Sequence, residues 1–220
     1  MPDFAAARRM MVDGQVRTSD VTDPRVIAAM LELPRQQFVP QRHAALAYVD
    51  RDVPLGDAPG ARRLLKPMVL AKLIQAADIG PSDRVLDVAC GTGYSSAVLA
   101  RLAGTVVALE EDAALALKAR ENLAAVGATN VEVVTGTLPD GWQAGAPYGV
   151  ILLNGAAERV PERLLRQLGE GGRLVGVVGR APASRAVLYL STGGQASGLP
   201  VFDAAASPLP GFAEPPAFVF

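Results

Sequence analysis

Cysteine and histidine are almost missing from this 220-residue chain, which has one of each, Cys90 and His43. One cysteine forms no intrachain disulfide, and one Cys with one His cannot build a zinc ligand set. A disulfide scaffold and a zinc finger are therefore excluded, and no metal site is expected. Charge of one sign is not in excess either: 21 Lys plus Arg oppose 22 Asp plus Glu, for a net of -1, and the arginines are scattered. Without a basic face, a nucleic-acid partner is not expected. No stretch approaches the roughly 20 apolar residues of a membrane span. The amino-terminal MPDFAAARRMMVDGQ lacks the apolar run of a secretory signal. A cytoplasmic protein with no membrane partner is the expectation.

What is there suits a folded core. Half of the residues are hydrophobic and a fifth are charged, which excludes intrinsic disorder. The length favours one domain with an appendage over two full domains. The boundaries read as residues 1–80, a helical segment with a cleft-covering loop, and 81–220, an α/β domain. In the first part, Val26, Ile27, Met30 and Leu31 mark one face of a helix over Thr22–Leu33, opened by Asp23 and Pro24. From Pro34 to Pro67 no period is sustained, and Pro40, Pro54, Gly56, Pro59 and Gly60 punctuate a long loop. A second helix runs from Pro67 to about Asp78, with Val69, Leu70, Leu73 and Ile74 on one face.

The pattern then changes. Strands at Val85–Ala89, Val106–Leu109, Val131–Val134, Val150–Leu153 and Arg173–Val178 alternate with helices at Ser95–Leu102, Ala113–Val126 and Pro161–Leu168. That alternation marks a parallel sheet covered on both faces. Ala186–Leu190 and Leu199–Phe202 read as two further strands joined by the flexible Ser191–Gly198, hence an antiparallel pair. Pro208, Pro210, Pro215 and Pro216 make the last stretch an edge or a tail. A Rossmann-like sheet of seven mostly parallel strands follows, with the helical segment lying over the cleft.

The chemistry concentrates after the first strand of the sheet. Val85-Leu-Asp-Val-Ala-Cys-Gly-Thr-Gly-Tyr94 sets a glycine-rich turn between strand and helix, where Gly91 and Gly93 adopt dihedrals closed to other residues. Glu110 ends the next strand, placed to accept hydrogen bonds from a ribose diol. Together these suit a nucleoside-bearing cofactor. Ser96 stands where a dinucleotide fingerprint has its third glycine, and Asp87 would repel a pyrophosphate but suits an ammonium group. The ligand reads as S-adenosylmethionine and not NAD.

Asp87-Val-Ala-Cys-Gly-Thr-Gly93 resembles motif I of class I methyltransferases. Further segments resemble one branch of them, the protein-L-isoaspartate O-methyltransferases: Met11-Val-Asp-Gly-Gln-Val-Arg17, Thr22-Asp-Pro-Arg-Val26, Pro34-Arg-Gln-Gln-Phe-Val-Pro40, Ala47-Tyr-Val-Asp50, Ala119-Arg-Glu-Asn-Leu123, Ala146-Pro-Tyr148 and Gly171-Gly-Arg-Leu174. The likeness spans roughly residues 10 to 180. It implies an S-adenosylmethionine-dependent O-methyltransferase acting on a carboxylate of damaged protein or peptide. It also implies a cofactor wall of Asp87, Ala89, Gly91, Gly93 and Tyr94, with Glu110 on the ribose and Thr137 and Leu138 beside the adenine. Arg62, Leu65 and Lys66 would face the substrate, and no catalytic residue is assigned.

The departures bear on the same stretches. The family's Thr-Ile-Ser-Gln-Pro appears here as Arg63-Leu-Leu-Lys-Pro67, so Leu65 replaces the serine; Gly-Asp-Gly appears as Gly136-Thr-Leu138, and Ala-Pro-Tyr-Asp as Ala146-Pro-Tyr-Gly149. Asp140 is a candidate to reach back toward the adenine or a turn residue. Asn154 is a ligand-side residue or, with Gly155, part of a turn. Cys90 reads as a small buried residue and His43 as a loop residue. Two alternatives stay open: a methyltransferase of this fold with another substrate, and a cofactor-binding module without turnover. The oligomeric state is open too.

Overall fold

The computed structural model describes residues 3–58 and 60–214; Pro59, Pro215 and Pro216 lie outside the described residues. The chain opens with helix α1 (Phe4–Met11), capped by the Asp3 carboxylate, which accepts from the amides of Ala5 and Ala6. A wider π turn over Val12–Val16 and a 3-10 turn over Arg17–Ser19 follow. Helix α2 (Pro24–Glu32) starts where its Asp23 cap and its proline at N1 direct, and it buries Val26, Ile27, Ala29 and Met30. The stretch with no sequence period holds two short 3-10 turns and a minimal antiparallel pair, β1 (Val53–Pro54) with β2 (Arg63–Leu64). Helix α3 (Pro67–Ala76) ends this first part.

The main sheet is built from β3 (Arg84–Val88), β4 (Thr105–Glu110), β5 (Val131–Thr135), β6 (Tyr148–Ala157), β7 (Leu168–Val178), β8 (Arg185–Thr192) and β9 (Gln195–Asp203). Its seven strands lie in the order β5-β4-β3-β6-β7-β8-β9, with β8 and β9 antiparallel to their neighbours and the others parallel. Helices α4 (Tyr94–Ala100), α5 (Ala113–Ala125) and α6 (Glu162–Leu165) connect the parallel strands. The strand order reverses between β3 and β6, and open α/β sheets hold their ligands at the carboxyl ends of the strands flanking such a reversal.

Two apolar layers sandwich the sheet. One joins the first part of the chain to the sheet, packing Met11, Val26, Met30, Phe38, Leu70 and Leu73 with Val85, Val98 and Leu123. The other packs Leu86, Val88, Leu109, Ile151 and Leu153 with Leu164, Leu209 and Phe212. Strand alternation sends Val85 with Asp87 to one face and Leu86 with Val88 to the other. A continuous apolar layer therefore crosses the expected boundary at residue 80.

Two local readings are corrected by the structure, and a third is made specific. The segment 191–198 is no flexible loop: β8 and β9 extend through it to a two-residue connection, Gly193-Gly194, whose φ values of 59° and 76° fit the turn that closes a twisted hairpin. Asn154 and Gly155 form no turn, because β6 continues to Ala157. The last described stretch returns to the sheet, where Ser207 and Leu209 exchange backbone hydrogen bonds with Ala156 at 2.8 Å each.

Candidate functional site

The site lies where β3 ends and the chain turns into α4. Ala89, Gly91 and Gly93 all have positive φ, at 67°, 58° and 93°. The path thus winds tightly, and at Gly91 a Cβ would sit 2.8 Å from Cδ1 of Leu55, so a side chain there requires Leu55 to move. Ala89 bears the same left-handed backbone with a Cβ, a strain of the kind that clusters at functional sites. The turn is tied to β4, since the amides of Ala89 and Cys90 donate to the Leu109 carbonyl at 2.8 and 3.1 Å.

Asp87 is fully buried beneath the turn. Its carboxyl accepts from Ser95 Oγ at 2.7 Å and Ser96 Oγ at 2.6 Å, and from the Asn154 side-chain amide, which also reaches Ser95. Asn154 comes from β6, so this network bridges the two strands flanking the reversal. Burial pushes the Asp87 pKa up to about 6, against the pull of those three hydrogen bonds and with a small push from Glu110. The carboxyl is held ready for a positively charged partner. Serine at 96, read above only as a missing glycine, is a hydrogen-bond donor to this carboxyl; the Ser95-Ser96 pair in the first turn of the helix after the acidic strand end was the available signal.

Glu110 is the second buried carboxylate, fully enclosed at the end of β4. Its Oε2 accepts from the Gly91 amide at 2.8 Å, and its Oε1 from the amides of Glu111 and Asp112 at 3.0 and 3.3 Å. These bonds fix the carboxylate against the glycine turn. Arg62 comes over the top from the first part of the chain: its Nη2 donates to the Ala89 carbonyl at 2.7 Å and lies 3.6 Å from Glu110 Oε2. Arg62 is thus drawn down onto the turn.

The other residues singled out above have definite places. Leu65 is buried in the core, and its carbonyl accepts from the buried Arg35 at 2.7 Å. The Lys66 amide donates to Asp52 at 2.9 Å and opens α3. The Tyr94 ring turns away from the turn, edge-on to Phe38 at 5.4 Å and beneath the Arg35 guanidinium at 4.6 Å. Thr137 is exposed, Leu138 is buried and Asp140 pairs with Arg163 at 2.8 Å on the surface. Cys90 is buried with its thiol pushed to a higher pKa, a poor nucleophile. The His43 ring meets the Pro54 carbonyl at 3.0 Å. Gly149 sits at the start of β6, the opposite end from the glycine turn, where a Cβ would collide with Asp83. The aspartate lost there is a packing change, not a change in the site.

Two residues beyond those singled out above, Thr92 and Asn122, also shape the site. The Thr92 hydroxyl donates to the Phe38 carbonyl at 2.5 Å, and the Asn122 amide donates to the Thr92 carbonyl at 2.9 Å. They pin the glycine turn between α5 and the segment that overlies it. Nothing in their local sequence signals this, because the partners are far apart along the chain.

The chain has counterparts among known proteins in sequence and in fold. The family model for protein-L-isoaspartate(D-aspartate) O-methyltransferase matches residues 7–195. A protein-L-isoaspartate O-methyltransferase of Methanoregula boonei is 44% identical over 172 residues, covering 78% of each chain. One from Methanoculleus marisnigri is 38% identical over 204 residues, covering 93% of this chain and 91% of the relative. A solved protein-L-isoaspartate O-methyltransferase superposes with a TM-score of 0.80 at 25% identity; it is matched by 93% of this chain, which spans 66% of that longer one. A Plasmodium falciparum protein described by the same activity, solved with S-adenosyl-L-homocysteine, shares the fold with a TM-score of 0.76 at 17% identity over 95% of this chain and 99% of its own.

Proposed function

Because this chain belongs to the protein-L-isoaspartate(D-aspartate) O-methyltransferase family, we propose that it methylates the carboxylate of isoaspartyl residues in damaged protein, with S-adenosylmethionine as donor. The supporting observation is the pairing of two buried carboxylates, Asp87 and Glu110, around a turn with three left-handed residues at the sheet's reversal point.

The donor set fits the cofactor. Asp87 is buried without a cation among its hydrogen-bond partners, which an ammonium group would supply. The Ala89 carbonyl and Glu110 face the same turn as acceptors for hydroxyl or ammonium donors. When bound, S-adenosylmethionine would supply an electrophilic sulfonium methyl group to the acceptor oxygen, with the C–S electron pair left on sulfur. The protein's part is positioning. An isoaspartyl carboxylate is already ionised at neutral pH, so no general base is required, and holding two reactants in line is worth about 7–11 kcal/mol. Asp87 and Glu110 hold one reactant; the loop carrying Arg62, Leu65 and Lys66 would meet the other.

One observation favours a second reading, a different methyl acceptor. Leu65 stands in the place of the family's serine, with its side chain packed in the core. A hydroxyl that would meet a carboxylate is gone, at a cost on the order of 1 kcal/mol for a typical hydrogen bond. Transfer of labelled methyl to an isoaspartyl peptide, run beside the same peptide with normal aspartate, decides between the readings. Base-labile methyl ester on the isoaspartyl peptide alone is the expected result. Equal labelling of both, or of neither, would remove isoaspartate as the substrate.

A further inference from the structure

The Glu110 carboxylate has almost no acceptor capacity left. A carboxylate offers about four lone-pair directions, and the amides of Gly91, Glu111 and Asp112 take three of them. The Arg62 guanidinium faces Oε2 from 3.6 Å while its Nη2 donates to the Ala89 carbonyl at 2.7 Å. Its side chain is only 11% exposed, and its Nε is buried with no hydrogen-bond partner. A cation of this chain therefore lies on the two acceptors that the proposed cofactor needs. The same hairpin supplies a cap: the Leu55 amide donates to the Arg62 carbonyl at 2.8 Å, and Leu55 Cδ1 stands over Gly91.

We propose that Arg62 is an internal competitor for the cofactor site, a latch that S-adenosylmethionine must displace before a ribose hydroxyl can take Glu110 Oε2 and a cofactor donor the Ala89 carbonyl. This rests on the cofactor reading above. Two features favour displacement over a shared site. Oε1 of Glu110 is filled by two amides, so the one acceptor direction left is on Oε2 beside the Gly91 amide, and that is the oxygen Arg62 stands over. The Arg62 pose also leaves Nε unsatisfied, an unfavourable arrangement for a buried donor that release would relieve. Cofactor affinity is then scaled down to the fraction of molecules in which the latch is open, and the hairpin of β1 and β2 moves with it.

The test is calorimetric titration of S-adenosylhomocysteine into wild type, Arg62→Gln, Arg62→Met and, as a neighbour control, Arg63→Gln, with thermal unfolding of each ligand-free protein. Arg63 is exposed, and among the described residues its side chain bonds the Asp52 carbonyl at 3.2 Å. Both Arg62 variants are expected to bind about tenfold tighter than wild type, and to melt at lower temperature without ligand, while Arg63→Gln matches wild type in affinity. Arg62→Met removes every donor and guards against a glutamine that re-forms the contact. If wild type binds and both Arg62 variants bind equally or more weakly, Arg62 is no competitor and the latch is wrong while the cofactor reading stands. If none of the proteins binds, the cofactor reading and the latch fall together.

Discussion

At the scale of single residues, Asp87 links chemistry to stability. Its carboxyl is more easily protonated in the folded chain than in the unfolded one, with the pKa raised from 3.8 to about 6 by burial. The proton therefore stabilises the fold: the contribution is complete below pH 3.8 and is lost as pH rises through 6. That difference amounts to roughly 3 kcal/mol. Ligand-free protein should thus lose stability between pH 4 and 7, as read by urea unfolding across that range, and Asp87→Asn should flatten the loss. The lowered pKa values of Asp23 and Glu158 act in the opposite direction, at lower pH. An unchanged pH slope in Asp87→Asn would show that the buried carboxyl is not its source. Gly91 gives a second case. Its φ of 58° makes Gly91→Ala cost about 1–2 kcal/mol for a left-handed non-glycine residue, and the new methyl meets Leu55. Adding Leu55→Ala should recover the steric part of the loss in chemical denaturation and leave the backbone part.

At the scale of elements, the question is what holds the glycine turn under the helical segment. The Thr92 hydroxyl reaching the Phe38 carbonyl at 2.5 Å joins pieces 54 positions apart. Thr92→Val keeps the shape and removes the donor, leaving a buried carbonyl unpaired at a cost of about 1–3 kcal/mol. Hydrogen exchange should then speed up in residues 35–39 more than in β3, and uniform exchange across both would count against a local clamp. The parallel strands and the helices between them were readable in the sequence because short apolar runs alternate with longer, mixed stretches of helix length. The pair β1–β2 was not, since two-residue strands have no period, and helix α1 has an Ala-Arg-Met text with only the Asp3 cap to announce it. The glycine turn and both carboxylates were legible as strand-end residues. The inward course of Arg62 was not, because a loop side chain takes its direction from tertiary acceptors, here the Ala89 carbonyl and Glu110. For the same reason Asn154 read equally as turn or ligand until Asp87 was seen beside it.

At the scale of the whole molecule, Asp52 joins regions that sequence order keeps apart. Its Oδ1 accepts from the Lys66 amide at 2.9 Å, and its Oδ2 from the Ser207 amide and hydroxyl at 3.2 and 3.0 Å, across 155 positions. One half-buried carboxylate thereby fastens the start of α3, the loop that would face the substrate and the stretch returning to β6. The apolar layer uniting Met11, Leu70 and Leu99 with Val150 and Val177 runs through the same junction. Segments sharing one core unfold together, so far-ultraviolet and near-ultraviolet melts should coincide in a single transition. Asp52→Ala removes three charge-assisted hydrogen bonds that are not additive; a net loss of about 3 kcal/mol lowers the melting temperature of a chain this size by about 6–12 °C. The transition should stay single in the variant, because the shared core remains. Two separated transitions, in wild type or in Asp52→Ala, would mean that the first 80 residues fold as a unit of their own, and that the cover over the glycine turn is free to part from the sheet that carries it.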